Sequence, residues 1–485
     1  MIRGAPDRRP MVSLTLLSLT LLGALLGALM GMGVGLVPGF HANNIAQGAL
    51  GGRAAFGGGL AWIAGAGVAG GDPALAYPAC GFLVGAALGH AFTDEIPAVF
   101  LGAPDPETAL SVLPGHRLLM AGHGPSAVRA AAAGSAAGVA LSLPLVPVLA
   151  WLMGPPLNGY AALAVALPWI LLVVAAALCW TERGRPEEGL SRRRAQALAF
   201  GALLSAGALG ELVMFEGLAW PNAFPLGQPG GTGGMHLLSL FAGLFGLPTL
   251  LLAAASARRA EPADDAGGTI SLPPRRAARV ASIGAGAGAL VGWLPGVGAA
   301  QAAVLAASAR EAAAVRRGAP REPRDSPQAS AEFLVMQSAA GAANLVFSLV
   351  ALFALMRTRS GTMAAVSAVG GASVEAWTSP LEAPDLMVAL LVAAAAVVPL
   401  CYAGAVLLGG ACAGFYARLP PRALAAAVFV GILALIVYLE GLVGLAVVAV
   451  AVPLGLVPPL TGIKRVHLMG AVLVPVVVRM ATGLA

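Results

Sequence analysis

Polar side chains that could hold a carboxylate or a cation follow two Pro-Gly dipeptides in an otherwise apolar chain. The first set, here called the first tip, is Pro38, Gly39, His41, Asn43 and Asn44, and the second tip is Pro295, Gly296, Gly298 and Gln301. Pro removes a backbone donor and Gly permits a positive φ, so a helix must break at each dipeptide. Free N–H groups at the start of the next helix suit a carboxylate, because the helix dipole is positive there. We therefore predict that both tips bind substrate.

A simpler interpretation of the tips stays open at this point. Asn43 and Asn44 are residue types that often cap the first turn of a helix, and capping needs no ligand. The two Pro-Gly dipeptides would then mark no more than kinked helices that pack together. Capping and binding are compatible, and the polar residues after each dipeptide have no simple packing role.

The two tips belong to an internal repeat. Gly27–Asn44 reads GALMGMGVGLVPGFHANN, and 257 residues later Gly284–Gln301 reads GAGAGALVGWLPGVGAAQ, aligned without a gap. Glycines four residues apart form one small face of a helix, which lets a second backbone approach closely in lipid. Broken helices in corresponding halves point to the binding site of a transporter. The pattern predicts a re-entrant hairpin in each half.

Composition places the chain in a membrane. It has 485 residues, of which 58% are hydrophobic and 10% charged, with a mean hydropathy of +0.85. These values are typical of an all-α polytopic membrane protein and exclude a soluble enzyme. The net charge of +6 comes from arginines in loops, which indicates membrane orientation and no nucleic-acid partner. Isolated cysteines indicate no metal site, and no nucleotide-binding motif is found.

Arginine positions predict the topology. Three arginines within residues 1–10 place the N-terminus in the cytoplasm, and basic loops at 181–194, 257–279 and 310–324 face the same side. The roughly 43 uncharged residues before Arg53 suffice for one full span and a hairpin, since a span takes about 20. The second copy has room for a hairpin alone. The hairpins would then enter from opposite sides, as inverted repeats do.

This topology divides the chain into three parts. Residues 1–256 form a first transmembrane repeat half, 257–279 a cytoplasmic linker, and 280–485 a second transmembrane repeat half. We expect about 10–12 membrane segments including the hairpins.

Four further polar residues are candidates for coupling to an ion. Asp94 and Glu95 form a carboxylate pair, and Ser338 and Asn344 lie within an apolar span. Ionisable groups at membrane depth are costly and are functional candidates for that reason. Na⁺ and H⁺ both stay open as the coupling ion, and no other cofactor is predicted.

Four motifs resemble the large membrane subunit of the tripartite tricarboxylate transporters, most closely its archaeal-type branch. They read GLVPGFHANN, FLGAPDPETALSVLPGHRLLMAGHGPSAV, GWLPGVGAAQ and RSGTMAAV. The resemblance covers about residues 20–480, and Pro38, Gly39, Pro295 and Gly296 match its signature tips. It implies a translocation subunit that works with a small membrane subunit and a solute-binding protein, and substrates such as citrate.

We therefore predict a multi-pass permease of the cell membrane that moves a carboxylate and is coupled to an ion gradient, not an enzyme. Two alternatives stay open. One is an intramembrane enzyme for a lipid-linked substrate, which would use Asp94, Glu95 and nearby histidines, and the other is a membrane scaffold without transport. Polar tips in both halves favour transport, since an enzyme would concentrate its polar groups in one half. A homo-oligomer is also left open.

Overall fold

The chain folds into a bundle of helices. The computed structural model describes residues 13–37, 42, 45–46, 49, 75–101, 112–182, 184, 189–214, 236–256, 272–294, 298–317, 326–379, 382–416, 418 and 420–482. This part of the chain is mostly helical and contains no β-strand. The predicted all-α fold class is confirmed.

Seventeen α-helices are described. In chain order they are α1 (Leu14–Val34), α2 (Ala76–Thr93), α3 (Glu95–Leu101), α4 (Val112–Met120), α5 (Gly124–Ser142), α6 (Val146–Met153), α7 (Gly159–Trp180), α8 (Arg192–Met214), α9 (Leu237–Phe241), α10 (Leu247–Ser256), α11 (Pro274–Val291), α12 (Ala299–Arg316), α13 (Pro327–Leu355), α14 (Gly361–Gly370), α15 (Asp385–Tyr416), α16 (Pro421–Thr461) and α17 (Gly470–Thr482). A π-helical turn separates α9 from α10, and α16 is kinked at Gly441.

Eight of the described segments are long and apolar enough to cross a bilayer. They are Leu14–Val34, Gly124–Met153, Gly159–Trp180, Arg192–Met214, Pro327–Leu355, Asp385–Phe415, Glu440–Thr461 and Arg465–Thr482. Two shorter apolar helices, Leu238–Leu252 and Ala425–Tyr438, accompany them. The chain is therefore a multi-pass membrane protein.

α1 and α2 pack backbone against backbone. A Cβ added at Gly27 would lie 2.0 Å from the carbonyl oxygen of Phe82, and one at Gly31 would lie 2.1 Å from that of Ala86. Glycines of α2 approach carbonyl groups of α1 in the same way. Such contact is possible only between small residues, which line helix interfaces in membranes. Because residue numbers rise together along the interface, α1 and α2 are parallel.

α11 and α13 form a second pair of the same kind. A Cβ at Gly284 would lie 2.1 Å from the carbonyl oxygen of Met336, and one at Gly288 would lie 2.1 Å from that of Ala340. These helices are also parallel, and α12 contacts both of them. Two parallel neighbours require the chain to return between them, so α12 runs back along the pair. The predicted helix-break-helix arrangement thus describes α11 and α12.

The first half differs from its prediction in one respect. We expected a full span before the hairpin, but α1 is a single helix from Leu14 to Val34 that ends just before Pro38. Gly27 of α1 has the same close backbone contact as Gly284 of α11. α1 is therefore the counterpart of α11, and the prediction of a separate preceding span is wrong for residues 13–37.

The two helix pairs run in opposite directions. Just after α2, the Glu95 Oε1 atom lies 3.5 Å from Ser338 Oγ in α13. Nearer the start of α2, Cys80 Sγ donates to the carbonyl oxygen of Val366, which lies beyond the end of α13. Moving along the contact from Ser338 to Val366, the partner residue falls from Glu95 to Cys80. α2 therefore runs opposite to α13.

One core joins both predicted halves. A Cβ at Gly134 of α5 would lie 2.4 Å from the carbonyl oxygen of Val335 in α13. The largest apolar cluster contains residues of α2 and α5 together with residues of α11, α13 and α15. Residues 1–256 and 280–485 are therefore not separately packed bodies.

The close backbone contact yields a matched pair of variants. Gly27→Ala would press a Cβ against the Phe82 carbonyl group and force α1 and α2 apart, whereas a Cβ at Gly33 meets no atom within 4 Å. We expect Gly27→Ala to lower the melting temperature of the purified protein and Gly33→Ala to leave it unchanged or raised, since Ala favours helix over Gly. Equal melting temperatures would contradict the interface.

Candidate functional site

Most of the tip residues lie outside the described residues. These are Pro38, Gly39, His41, Asn43, Asn44, Pro295 and Gly296. The structure does describe two residues of the second tip, Gly298 and Gln301. It also describes all four candidates for ion coupling: Asp94, Glu95, Ser338 and Asn344.

Gln301 caps the start of α12. Its Oε1 atom accepts a hydrogen bond of 2.7 Å from the backbone N–H of Gly298, as the third helical residue does in a capping box. The side chain is only 1% exposed, and its Nε2 has no hydrogen-bond partner among the described residues. A buried donor left without a partner costs about 1–3 kcal/mol. Gln301 therefore has a cap role and, in addition, a donor that an acceptor oxygen could satisfy.

A small cavity lies between α2 and α13. Its lining residues are Ala42, Ala87, His90, Ala91, Asn344, Leu345, Ser348, Ser360, Thr362 and Met363. Ala42, which lies between His41 and Asn43 in the sequence, is the one described residue of that stretch that lines the cavity. The volume is about 40 Å³. Ligand pockets usually measure roughly 300–1,000 Å³, so this cavity has room for a few waters or an ion but not for citrate.

Two polar residues of this cavity, His90 and Asn344, occupy matching positions in the two helix pairs. The glycine contacts pair Phe82 of α2 with Met336 of α13, which is 254 residues later. The same interval relates His90 to Asn344, and both line the cavity. It also relates Asp94 to Ser348. Two helix pairs that run in opposite directions thus contribute residues at equivalent positions, His90 and Asn344, to the same cavity.

Buried ionisable groups surround the end of α2. His90, Asp94 and Glu95 are each no more than 5% exposed. His90 Nδ1 lies 3.8 Å from Asp94 Oδ2, and Glu95 Oε1 lies 3.5 Å from Ser338 Oγ. Charged groups in the low-dielectric interior need partners of this kind. The structure therefore brings the predicted Asp94, Glu95, Ser338 and Asn344 together around one region, with His90 among them.

The second tip joins the same region through α12. Ala299 and Ala303, in the first turns of α12, pack against Ala340 of α13. Ala340 lies about one turn before Asn344, since a helix has about 3.6 residues per turn. The start of α12 is thus close to the cavity wall, although Gln301 is not among the residues that line the cavity.

Arg359 is a residue that the sequence interpretation missed. Its guanidinium donates to the carbonyl oxygens of Trp293 at 3.0 Å and Val291 at 3.5 Å, at the end of α11 just before the second tip. A cation is favourable at a helix C-terminus. Burial lowers the pKa of Arg359 to about 10, so it stays charged at neutral pH. Because Ser360 lines the cavity, Arg359 ties the cavity wall to the second hairpin.

Glu332 is a second residue that the sequence did not reveal. It is 1% exposed and forms ion pairs with Arg276 of α11 and Arg310 of α12. Three helices of the second half are thus joined by one buried carboxylate. The sequence showed both arginines only as parts of basic loops, because a pairing across 56 residues leaves no periodic pattern.

The described architecture, with helices that break beside a buried polar cavity, is that of a polytopic membrane transport protein. The chain belongs to the tripartite tricarboxylate transporter TctA family, whose model matches residues 21–470. The TctA family is the large subunit of a tripartite system that also has a small membrane subunit and a solute-binding protein. The resemblance of the motifs to this family is confirmed.

One curated relative covers only part of the chain. An uncharacterized protein of Methanocaldococcus jannaschii is 37% identical over 92 residues, which is 19% of this chain and 23% of that protein. The match therefore spans less than a quarter of the relative. No solved structure matches the chain.

The Glu332 cluster yields a test of stability. Glu332→Gln would remove the buried carboxylate that pairs with Arg276 and Arg310, and we expect a loss of about 3 kcal/mol in unfolding free energy. Glu375→Gln removes a carboxylate that is exposed, so it should change stability by no more than about 0.5 kcal/mol. Thermal or denaturant unfolding in detergent compares the two variants. Equal stability would show that the cluster does not fasten the hairpin.

Proposed function

We propose that this chain is the translocation subunit of a secondary active transporter that carries a carboxylate across the cell membrane, coupled to an ion gradient. The observation that carries the proposal is the cavity lined by His90 of α2 and Asn344 of α13, at matching positions of two opposed helix pairs. Polar groups from both halves favour a transporter over an enzyme, which would concentrate them in one half. A membrane scaffold without transport would have no reason to bury these polar groups.

The two halves are, in this proposal, inverted repeats. Three observations support it: the sequence repeat at an interval of 257 residues, the matching glycine interfaces, and the opposite directions of the two helix pairs. Inverted repeats allow one half to rock against the other around a fixed site. The cavity of about 40 Å³ then belongs to a closed form, and movement of a hairpin would enlarge it on one side at a time.

The tips supply the carboxylate site in this account. The free N–H groups and the positive end of a helix dipole attract an anion, and the Nε2 donor of Gln301 adds an amide. Asn43 and Asn44 would add amides on the first tip, beside Ala42 in the cavity wall. Asp94, Glu95, Ser338 and Asn344 would take part in ion coupling. The remaining tip residues would form the backbone turns and the walls of this site; they are Pro38, Gly39, His41, Pro295, Gly296 and Gly298.

The opposite directions of α1 and α11 bear on the orientation of the chain. In this proposal the start of α1 and the linker at 257–279 lie on opposite sides of the membrane, which differs from the cytoplasmic N-terminus that the arginines within residues 1–10 predict. Each basic loop at 181–194, 257–279 and 310–324 has five arginines, against three at the N-terminus. We propose that these loops are cytoplasmic and that the start of α1 faces outside.

The proposal extends to partners and branch. Uptake would involve the small membrane subunit and the solute-binding protein of the family, with the solute-binding protein delivering the carboxylate on the outer side. The 37% identity to an archaeal relative over 92 residues supports membership of the archaeal-type branch.

Cysteine labelling tests the orientation. In a variant that lacks the four native cysteines, we expect Ser13→Cys to react with a membrane-impermeant maleimide added outside intact cells. Arg316→Cys should react only after the cells are opened. Both positions are exposed in the structure, so access to the reagent depends on the side of the membrane. Labelling of position 316 from outside would contradict the orientation, and labelling of both positions from the same side would contradict the inverted repeats.

Two substitutions at Gln301 separate capping from binding. Gln301→Glu keeps an acceptor oxygen for the Gly298 N–H but removes the amide donor, whereas Gln301→Ala removes both. We expect both variants to lose about ten- to hundred-fold in carboxylate affinity, since a hydrogen bond to a charged group contributes about 1.5–3 kcal/mol. Only Gln301→Ala should also lose about 1 kcal/mol of stability.

Asn44→Ala on the first tip should weaken binding by a similar factor. Isothermal titration with citrate, combined with thermal unfolding, gives both quantities for every variant. If Gln301→Glu and Asn44→Ala both bind citrate with wild-type affinity, the proposal that the tips bind the substrate is contradicted.

A further inference from the structure

Among the described residues that line the cavity, His90 is the one with an ionisable side chain. It is 3% exposed, and its Nδ1 atom lies 3.8 Å from Oδ2 of Asp94, one helical turn further along α2. Imidazole changes its charge near neutral pH more readily than any other side chain. A change of protonation at His90 therefore changes the charge of the cavity itself.

The second half has no such group at the matching positions. Asn344 stands where α2 has His90, and Ser348 stands where α2 has Asp94, each 254 residues later. Both line the cavity, and neither amide nor hydroxyl titrates between pH 5 and 8. Of two related walls, only the wall formed by α2 can gain and lose a proton.

Other charged groups stand on the described elements that pack against α2. They are Glu95 on α3, Arg129 on α5, Glu332 on α13 and Asp385 on α15, with Arg359 in the loop before α14. α1 and α14 carry none. Glu332 is paired with two arginines, Arg359 is bound to the end of α11, and Asp385 lies near Tyr77 at the far end of α2. Asp94 and Glu95 are left as the acidic groups beside His90.

We propose that the coupling ion is a proton and that His90 carries it, with Asp94 as its counter-charge; this rests on the proposed function. A proton from the outer side binds the basic ring nitrogen of neutral His90 and produces an imidazolium in the cavity wall. The carboxylate then enters beside this positive charge. On the inner side the carboxylate leaves and the proton dissociates, so one proton moves with each carboxylate and no other bond changes.

Electrostatics gives the coupling its strength. Opposite charges attract far more strongly inside a protein than in water, because the effective dielectric constant is lower. A bound carboxylate therefore favours the imidazolium, and the imidazolium favours the carboxylate by the same factor. Asp94 lowers the cost of the charged ring when no substrate is present. Neither Asn344 nor Ser348 can supply this reciprocal effect.

The test uses the purified protein reconstituted in liposomes together with the small membrane subunit, with the solute-binding protein added outside and radiolabelled citrate as the probe. For the wild type, an inward pH gradient without Na⁺ should drive citrate accumulation, and a Na⁺ gradient at equal pH should not. His90→Asn, which places in α2 the residue found at the matching position of α13, should lose at least tenfold of the pH-driven accumulation. It should still exchange labelled for unlabelled citrate, because exchange needs no net proton movement. A purely structural role of His90 would reduce both readouts alike.

Asp94→Asn provides a second variant should His90→Asn fail to fold. Without the counter-charge His90 binds its proton less tightly, so half-maximal uptake should move to a lower outside pH. Proton-driven uptake in His90→Asn, an unchanged pH dependence in Asp94→Asn, or Na⁺-driven uptake in the wild type would each overturn the inference and leave carboxylate transport standing. A wild-type protein that neither accumulates nor exchanges citrate would instead overturn the proposed function.

Discussion

The contact of backbone with backbone along glycine rows is the constraint on which the rest of the structure depends. At Gly27 and Gly284 a single added carbon would lie 2.0 and 2.1 Å from a carbonyl oxygen of the neighbouring helix. Lipid offers no hydrophobic force between helices, so close packing of this kind holds them together. It also fixes the register of each pair, and the register decides that His90 and Asn344 reach the same cavity.

The two pairs are related but are fastened differently. The second hairpin is held by charges: Glu332 binds arginines of α11 and α12, and Arg359 binds the end of α11. At the position that matches Glu332, 254 residues earlier, α2 has Pro78. The first pair instead has the ionisable His90 and Asp94 near its end. One half thus has ion pairs that secure a hairpin, and the other has groups whose charge can change.

The sequence predicted what local chemistry determines. Pro-Gly after a glycine row was enough to predict that α1 and α11 end before each dipeptide, and apolar runs were enough to predict the membrane class. Ser338 and Asn344 were predicted because polar residues stand out in an apolar span. The partners of Glu332 and Arg359 could not be predicted, since contacts between residues 22 to 68 positions apart leave no pattern in the chain. The extra span before the first hairpin was expected from length alone, and length cannot distinguish one long helix from two.

An experimental structure of the protein with citrate bound tests the central claim most directly. The account predicts citrate density between the two tips, within hydrogen-bond distance of residues that follow both Pro-Gly dipeptides. This density should lie beside His90 and Asn344, in a cavity larger than the present 40 Å³ or so. Density that contacts only one helix pair, or that lies away from both tips, would contradict the claim that opposed pairs form one site.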